Sequence, residues 1–539
     1  MIFDFYFADV STEEARERNA KSIDVSVQIQ DEDHAICESV QRGLGSRAYD
    51  AGRAQVVWAR RVADLETPVS AMLKLSSGRR NAFLLESVEG GATRGRYSMI
   101  GVDPDLVFKA FGAKAEVNRE PATHPDRFQA MGEPSLIALR RIIEESRIAL
   151  PDAVPPMSAG IFGYIGYDMV RQMEELGAAR PDPLGLPDMI MLRPTVMIVF
   201  DAVKDEMIIV SPVWPKPGQS AKQAHTRAAE RLNGVVEALD THLAPGSDAV
   251  RADHDLAVTS NTPHADYLEM VRRAKEYIAA GDIFQVVLSQ RFEAPFALPP
   301  FALYRALRRT NPSPFLYFLD FGDFALAGSS PEILVRVREG EVTIRPIAGT
   351  RPRGATPDED RRLAAELLAD PKERAEHLML LDLGRNDVGR VAEIGTVRVT
   401  DQFFLEYYSH VMHIVSNVVG RLGSEHDVLD ALAAGFPAGT VSGAPKVRAM
   451  EIIDELEREK RGIYAGCVGY FSANGAMDTC IVLRTSIVKD GRMYVQSGAG
   501  IVADSVAESE HQECVAKARA LFRAAEEAVR FASAVGRGQ

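Results

Sequence analysis

Residues 492–531 read RMYVQSGAGIVADSVAESEHQECVAKARALFRAAEEAVRF, and the reading of this stretch decides the fold. Gly498, Gly500 and Ala503 in the SGAGIVA loop satisfy G-x-G-x-x-G/A, after a strand-like run and before a helix. That is the local setting of a dinucleotide-binding turn. A doubly wound parallel sheet would then need a second strand ending in an acid roughly 20 residues further on. Here that distance falls inside the helical run AKARALFRAAEEAVRF. A nicotinamide-dependent oxidoreductase is therefore disfavoured. The chemistry of the glycines survives: backbone N–H groups with no Cβ to shield them can approach an anion such as a carboxylate.

Working back along the chain, Thr262 is suited to cap a helix and Pro263 to occupy its first position. Tyr267, Val271, Ala274 and Ile278 recur at helical spacing, and Gly281 ends the run. IFQVVLSQRF, FLYFLDF and FALAGSS read as strands, and ILVRVREGEVTIRPI as a hairpin. HVMHIVSNVVG, CVGYFS and TCIVLRTSIV follow as strands among helices. Antiparallel strands interleaved with a few long helices predict an α+β fold. Upstream, residues 56–240 carry strand-like stretches (AFLLESV, YSMIGV, TVMIVF), and 241–260 are rich in turn formers and read as a linker to 261–531. Residues 1–55 are charged and helix-like.

Composition narrows the function. Among 539 residues, 62 basic and 76 acidic side chains give a net charge of −14, which disfavours a nucleic-acid partner. No apolar run approaches the roughly 20 residues of a membrane-spanning helix; Met189 to Phe200 is broken by Arg193 and Pro194 and reads as buried strand. Cys37, Cys467, Cys480 and Cys514 form no CxxC pair, which points to a reducing, cytoplasmic setting. An anionic small substrate would need a local cation, from arginines or a metal ion.

Two helices carry acids at i, i+3. Asp370 is placed to cap the first, with Pro371 at its first position and Glu373 where a capping box needs it. Glu376 lies one turn on, and Glu510 and Glu513 repeat the spacing in the last helix. Acids in a first turn are favoured by the helix dipole alone. Oxygen ligands from two helices are also how a protein holds Mg²⁺ with positions left for substrate. His410 and His413, three apart in a strand pattern, point to opposite faces and are not a ligand pair. His413 alone suits a general base or a hydrogen-bonded core position. FPAGTVSGAPK fails GxxxxGK[ST], because Lys446 precedes Val447.

From about Val57 to Phe531 the chain resembles the anthranilate synthase component I group of the chorismate-utilising enzymes. FLLES, GRYS, GYIGYD, NPSPFLYFLDF, GSSPE, PIAGTRPRG, ERAEHLMLLDLGRND, VMH, FPAGTVSGAPK, VGYF, DTCIVLRT, QSGAGIV and a final SExxE occur in the family's order. The resemblance implies the family's large fold of antiparallel sheets flanked by helices, with an N-terminal regulatory portion packed on the catalytic one. It implies conversion of chorismate and ammonia to anthranilate and pyruvate. By the same resemblance Glu376 and Glu513 ligate Mg²⁺, with Glu373 and Glu510 outside them. Gly349, Thr350, Tyr464, Arg484, Gly498, Ala499 and Gly500 hold chorismate. Glu332 is the acid for the departing C4 hydroxyl, His413 the base for the C2 proton, and Thr440 lines the site. Ser87, Arg96, Pro314, Phe315 and Leu316 form a tryptophan feedback site. Relatives that use water carry a lysine where this chain has Gln285, and relatives that capture the ring covalently carry one where it has Ala348. The ammonia is expected from a separate glutaminase partner (component II), since no cysteine sits in a glycine-rich nucleophile turn. Residues 1–55 fall outside the family pattern. They resemble the C-terminal tail of a Rieske-type oxygenase α subunit without its iron ligands, and no activity is expected of them. Two rivals remain open: a synthase that stops at aminodeoxyisochorismate and keeps the pyruvyl group, and a catalytically silent tryptophan-binding regulator.

Overall fold

The computed structural model describes residues 55–76, 78–86, 95–214, 218–243, 256–408 and 411–535. The expectations for residues 1–54, Ser87 and His410 lie outside these. Among the described residues, the strands join into one hydrogen-bonded network of 22, antiparallel in every pairing, flanked by helices. The α+β expectation holds.

The network starts from a long ribbon, Tyr97–Phe111 against Met189–Asp201. All thirteen residues of Met189–Asp201 are buried. The charge within this run is neutralised in place: Arg193 Nε donates to Asp105 Oδ1 at 2.8 Å, where the partner strand shifts register.

Two branches leave the ribbon. One passes through Ala82–Glu86, which pairs with Phe315–Asp320, and then through Phe324–Ser330, Thr485–Lys489 and Arg492–Ile501 to Gln285–Pro295. The other passes through Gly160–Ile165, which pairs with Cys467–Ser472, and then through Met477–Ile481, Ile333–Arg338 and Glu341–Ile344 to Val411–Arg421. The stretches 56–240 and 261–531 thus share a sheet on both branches. The largest apolar cluster draws on both as well, from Met72 and Ile198 to Phe318 and Phe522.

Three local readings are corrected. The first helix of the stretch 261–531 runs His264–Ala280 with Pro263 as its cap. The Thr262 hydroxyl bonds Asn261 Oδ1 at 3.0 Å instead of a helix amide. Helix Pro371–Gly389 is capped by Asp370 as expected, through the amides of Lys372 and Glu373. The reciprocal half of the capping box is missing, because the preceding helix, Pro357–Ala369, already takes the Asp370 N–H and Arg351 takes the Glu373 carboxylate at 2.8 Å. Finally, SGAGI is strand, the end of Arg492–Ile501. The glycines are there for lack of room: a Cβ on Gly498 would lie 2.9 Å from Leu288 O, and one on Gly500 2.6 Å from Gln285 Nε2.

Candidate active site

The two branches of the sheet bring the sequence-predicted residues together from their ends. Glu332 sits in the short link between Phe324–Ser330 and Ile333–Arg338. Its carboxyl is buried, and Thr440 Oγ1, in the turn Gly439–Val441, donates to its Oε1 at 3.0 Å. Burial pushes the acid up to about 8, against the smaller opposing effect of the threonine hydroxyl. A carboxyl so placed holds its proton at neutral pH and can donate it.

His413 is half-buried on Val411–Arg421, facing Thr350 on Ile347–Pro352. Its Nδ1 lies 3.2 Å from Gly349 O and 3.0 Å from Thr350 Oγ1. A carbonyl only accepts, so the neutral ring carries its hydrogen on Nδ1 and leaves a lone pair on Nε2. Burial lowers the imidazole below its ordinary value, and the nearby Arg484 guanidinium lowers it further. Arg484 is held at φ +48° between Met477–Ile481 and Thr485–Lys489. An unusual backbone conformation at a non-glycine residue is a frequent mark of a functional position.

Gly349 also has positive φ (+81°), and a Cβ there would press on Glu373 Oε2 at 3.1 Å. Tyr464 is buried, and its hydroxyl lies 3.0 Å from where a Gly498 Cβ would be. Past Val495 the strand Thr485–Lys489 no longer pairs with Arg492–Ile501, and Lys517 Nζ reaches that segment to donate to Gly498 O at 2.9 Å.

Glu373 and Glu376 project from helix Pro371–Gly389, and Glu510 and Glu513 from helix Ala507–Val535. Burial raises the Glu376 carboxyl, and the charges of Glu373 and Glu513 raise it further. Burial and Glu513 do the same to Glu510. Gln285 Nε2 reaches Glu376 Oε1 at 3.4 Å, while the buried Gln285 Oε1 has no hydrogen-bond partner. Carboxylates from two helices beside an orphaned amide oxygen are a hard, oxygen-only donor set, which fits Mg²⁺. Two of the four acids also pair with cations: Glu373 with Arg351, and Glu513 with Lys517 at 2.7 Å.

No local pattern signals the buried pair Glu457 and Arg461 that underlies this site. Arg461 donates to Glu457 at 2.6 Å, and to the carbonyls of Val441 and Val287 at 2.7 and 2.6 Å. It thereby ties the Thr440 turn to the strand opposite Gly500.

On the other side of Glu332 lies a cavity of about 520 Å³. Arg96, Pro314, Phe315 and Leu316 all line it, and so do Pro331 and Ile333, the neighbours of Glu332. Arg96 is engaged by Asp201 at 2.7 Å.

No described helix is long and apolar enough to cross a membrane. The family of chorismate binding enzymes matches residues 80–523. Anthranilate synthase component 1 of Cereibacter sphaeroides is 57% identical over 501 residues, covering 93% of this chain and 99% of that one. The crystal structure of anthranilate synthase component I from Streptococcus pneumoniae superimposes with a TM-score of 0.69 at 40% identity, over 81% of this chain and 93% of that one. The menaquinone-specific isochorismate synthase of Escherichia coli shares the fold, with a TM-score of 0.68 at 19% identity over 92% of this chain and 99% of that one. With a family match over most of its length and a component 1 relative aligned nearly end to end, the chain belongs to the chorismate-binding enzymes, in the group of anthranilate synthase component 1.

Proposed function

We propose that the chain is the chorismate-aminating component of an anthranilate synthase, forming anthranilate and pyruvate from chorismate and ammonia for tryptophan biosynthesis. One pattern supports the reading: Glu332, bonded by Thr440, is a buried acid raised to about 8, and His413, bonded to Gly349 O, is a histidine lowered from its ordinary value. Titratable groups pushed apart in this way take the acid and base roles.

Hydroxide is a poor leaving group, so Glu332 gives its proton to the C4 oxygen as ammonia adds at C2, with Thr440 holding the carboxyl in place. His413 Nε2 then takes the C2 proton, the C–O bond to the enolpyruvyl group breaks, and the ring becomes aromatic. Chorismate is a dianion. Arg484 and the backbone at Gly498-Ala499-Gly500 take one carboxylate, while Gly349, Thr350 and Tyr464 shape the rest of the pocket. Glu376 and Glu513 would hold Mg²⁺, with Glu373 and Glu510 around them; the bound ion supplies positive charge for the ring carboxylate.

Gln285 and Ala348 favour ammonia as nucleophile. An amide cannot deprotonate water and alanine cannot attack the ring, whereas ammonia in its free-base form needs neither service. Pyruvate loss is what separates this reading from a synthase that stops at aminodeoxyisochorismate.

The cavity bounded by Arg96, Pro314, Phe315 and Leu316 is the proposed tryptophan site. A ligand there would press on Pro331 and Ile333, either side of Glu332, which gives feedback a short physical route. Phe315→Ala is expected to raise the tryptophan concentration for half-inhibition about tenfold, each enzyme being compared with its own uninhibited rate. An unchanged value would remove Phe315 from the site.

The ammonia comes from a glutaminase partner in the cytoplasm. Cys467, Cys480 and Cys514 are buried free thiols, and burial raises each of them. None of the three is an activated nucleophile. The purified chain is therefore expected to turn over with ammonium salts and not with glutamine; robust glutamine-dependent activity by the chain alone would refute the separate partner.

A further inference from the structure

Three side chains that the reaction does not use come together at the starts of two helices. His264 opens helix His264–Ala280, and Glu508 and His511 stand one turn apart at the start of helix Ala507–Val535. His264 Nε2 is 2.8 Å from Glu508 Oε2. The two imidazoles meet edge to face with centroids 4.5 Å apart. One ring nitrogen of each histidine and one carboxylate oxygen all lie within 4.8 Å of one another, a grouping found nowhere else among the described residues. The Nδ1 of His511 is shut off from solvent and has no hydrogen-bond partner.

We propose that His264, Glu508 and His511 form a binding site for a divalent transition-metal ion of the zinc class, separate from the carboxylate set around Glu376. Two imidazoles and a carboxylate are the donors that Zn²⁺, Co²⁺ and Cu²⁺ take, and three protein ligands leave a position for water. Magnesium prefers oxygen donors alone and gains little from imidazole. Side-chain exposures of 52% for His264 and 53% for Glu508 let an ion enter from solvent without any opening of the fold. The positive ends of two helices weigh against a cation here. Glu508 offsets that charge, so the expected affinity is modest. A bound ion would tie the two helix starts together, just ahead of Glu510 and Glu513 on the second helix.

The test uses untagged full-length protein stripped of metal and held in saturating Mg²⁺, titrated with Co²⁺ and followed by visible absorption. About one equivalent is expected to bind and to be displaced by Zn²⁺ but not by more Mg²⁺. His264→Gln and His511→Gln should each weaken Co²⁺ binding at least about tenfold, since each removes one of three ligands. Zn²⁺ should raise the Tm of the wild type and not that of the double variant. Equal Co²⁺ binding by the wild type and the double variant would overturn the proposal, as would displacement by Mg²⁺. A measurement that needs no variant is the electron paramagnetic resonance spectrum of the wild type with one equivalent of Cu²⁺. Coupling to imidazole nitrogen is expected, and a spectrum with oxygen ligands alone would overturn the site.

Discussion

Glu332→Gln is expected to lower kcat by about 10²–10⁴-fold, the range a positioned general acid contributes. Glutamine keeps the shape of the protonated acid and can still meet the Thr440 hydroxyl, but it has no proton to give. The variant should therefore fold normally near neutral pH, so that a lost rate reports chemistry. The wild-type profile provides a second check. Glu332 is protonated below about 8 and loses its proton above that value. With free-base ammonia held constant, kcat/KM should therefore fall as pH rises through about 8. On the acid side, the lowered His413 stays a competent base below its ordinary value of about 6.5. A Glu332→Gln enzyme that keeps more than a tenth of the wild-type kcat would remove Glu332 from the acid role.

The second large effect is structural. Arg461→Met is expected to cost about 3–5 kcal/mol of stability, because it leaves Glu457 as an uncompensated buried charge. The carbonyls of Val441 and Val287 also lose their donor. Ser289 donates its N–H to Glu457 at 2.8 Å, so the partner position must remain an acceptor. The double variant Arg461→Met/Glu457→Gln keeps that acceptor and removes the stranded charge. It should recover at least about 1 kcal/mol over the single variant in urea unfolding. Equal stability of the single and double variants would show that the cost lies in the lost carbonyl contacts and not in the charge.

Much of this architecture was legible in the sequence, and the boundary of legibility has physical causes. Strands such as Gln285–Pro295 and Phe315–Asp320 and the Asp370 cap carry local signals, and these placed them correctly. The pairing of Ala82–Glu86 with Phe315–Asp320 joins residues more than two hundred apart; no local pattern encodes it. SGAGI was misread as a loop because glycine usually marks a turn, whereas here it answers to crowding from a neighbouring strand and the Gln285 amide. Glu457 and Arg461 lie in EREKR, where a run of charges ordinarily means a solvated surface. Only the tertiary fold shows both to be buried. The candidate site residues were found through ordered motifs, which fix identity and order along the chain. The hydrogen bonds of Thr440 and Gly349, which set the proton positions on Glu332 and His413, are visible only in three dimensions.

The most direct test of the central claim is product identity: purified chain, chorismate, Mg²⁺ and a high ammonium concentration near pH 8, with anthranilate followed by its fluorescence and pyruvate by a coupled assay. Equimolar anthranilate and pyruvate, abolished by EDTA and restored by Mg²⁺, is the predicted result. Chorismate consumed without pyruvate release would contradict it and assign a synthase that retains the pyruvyl group, and no consumption at all would leave a binding protein in place of an enzyme.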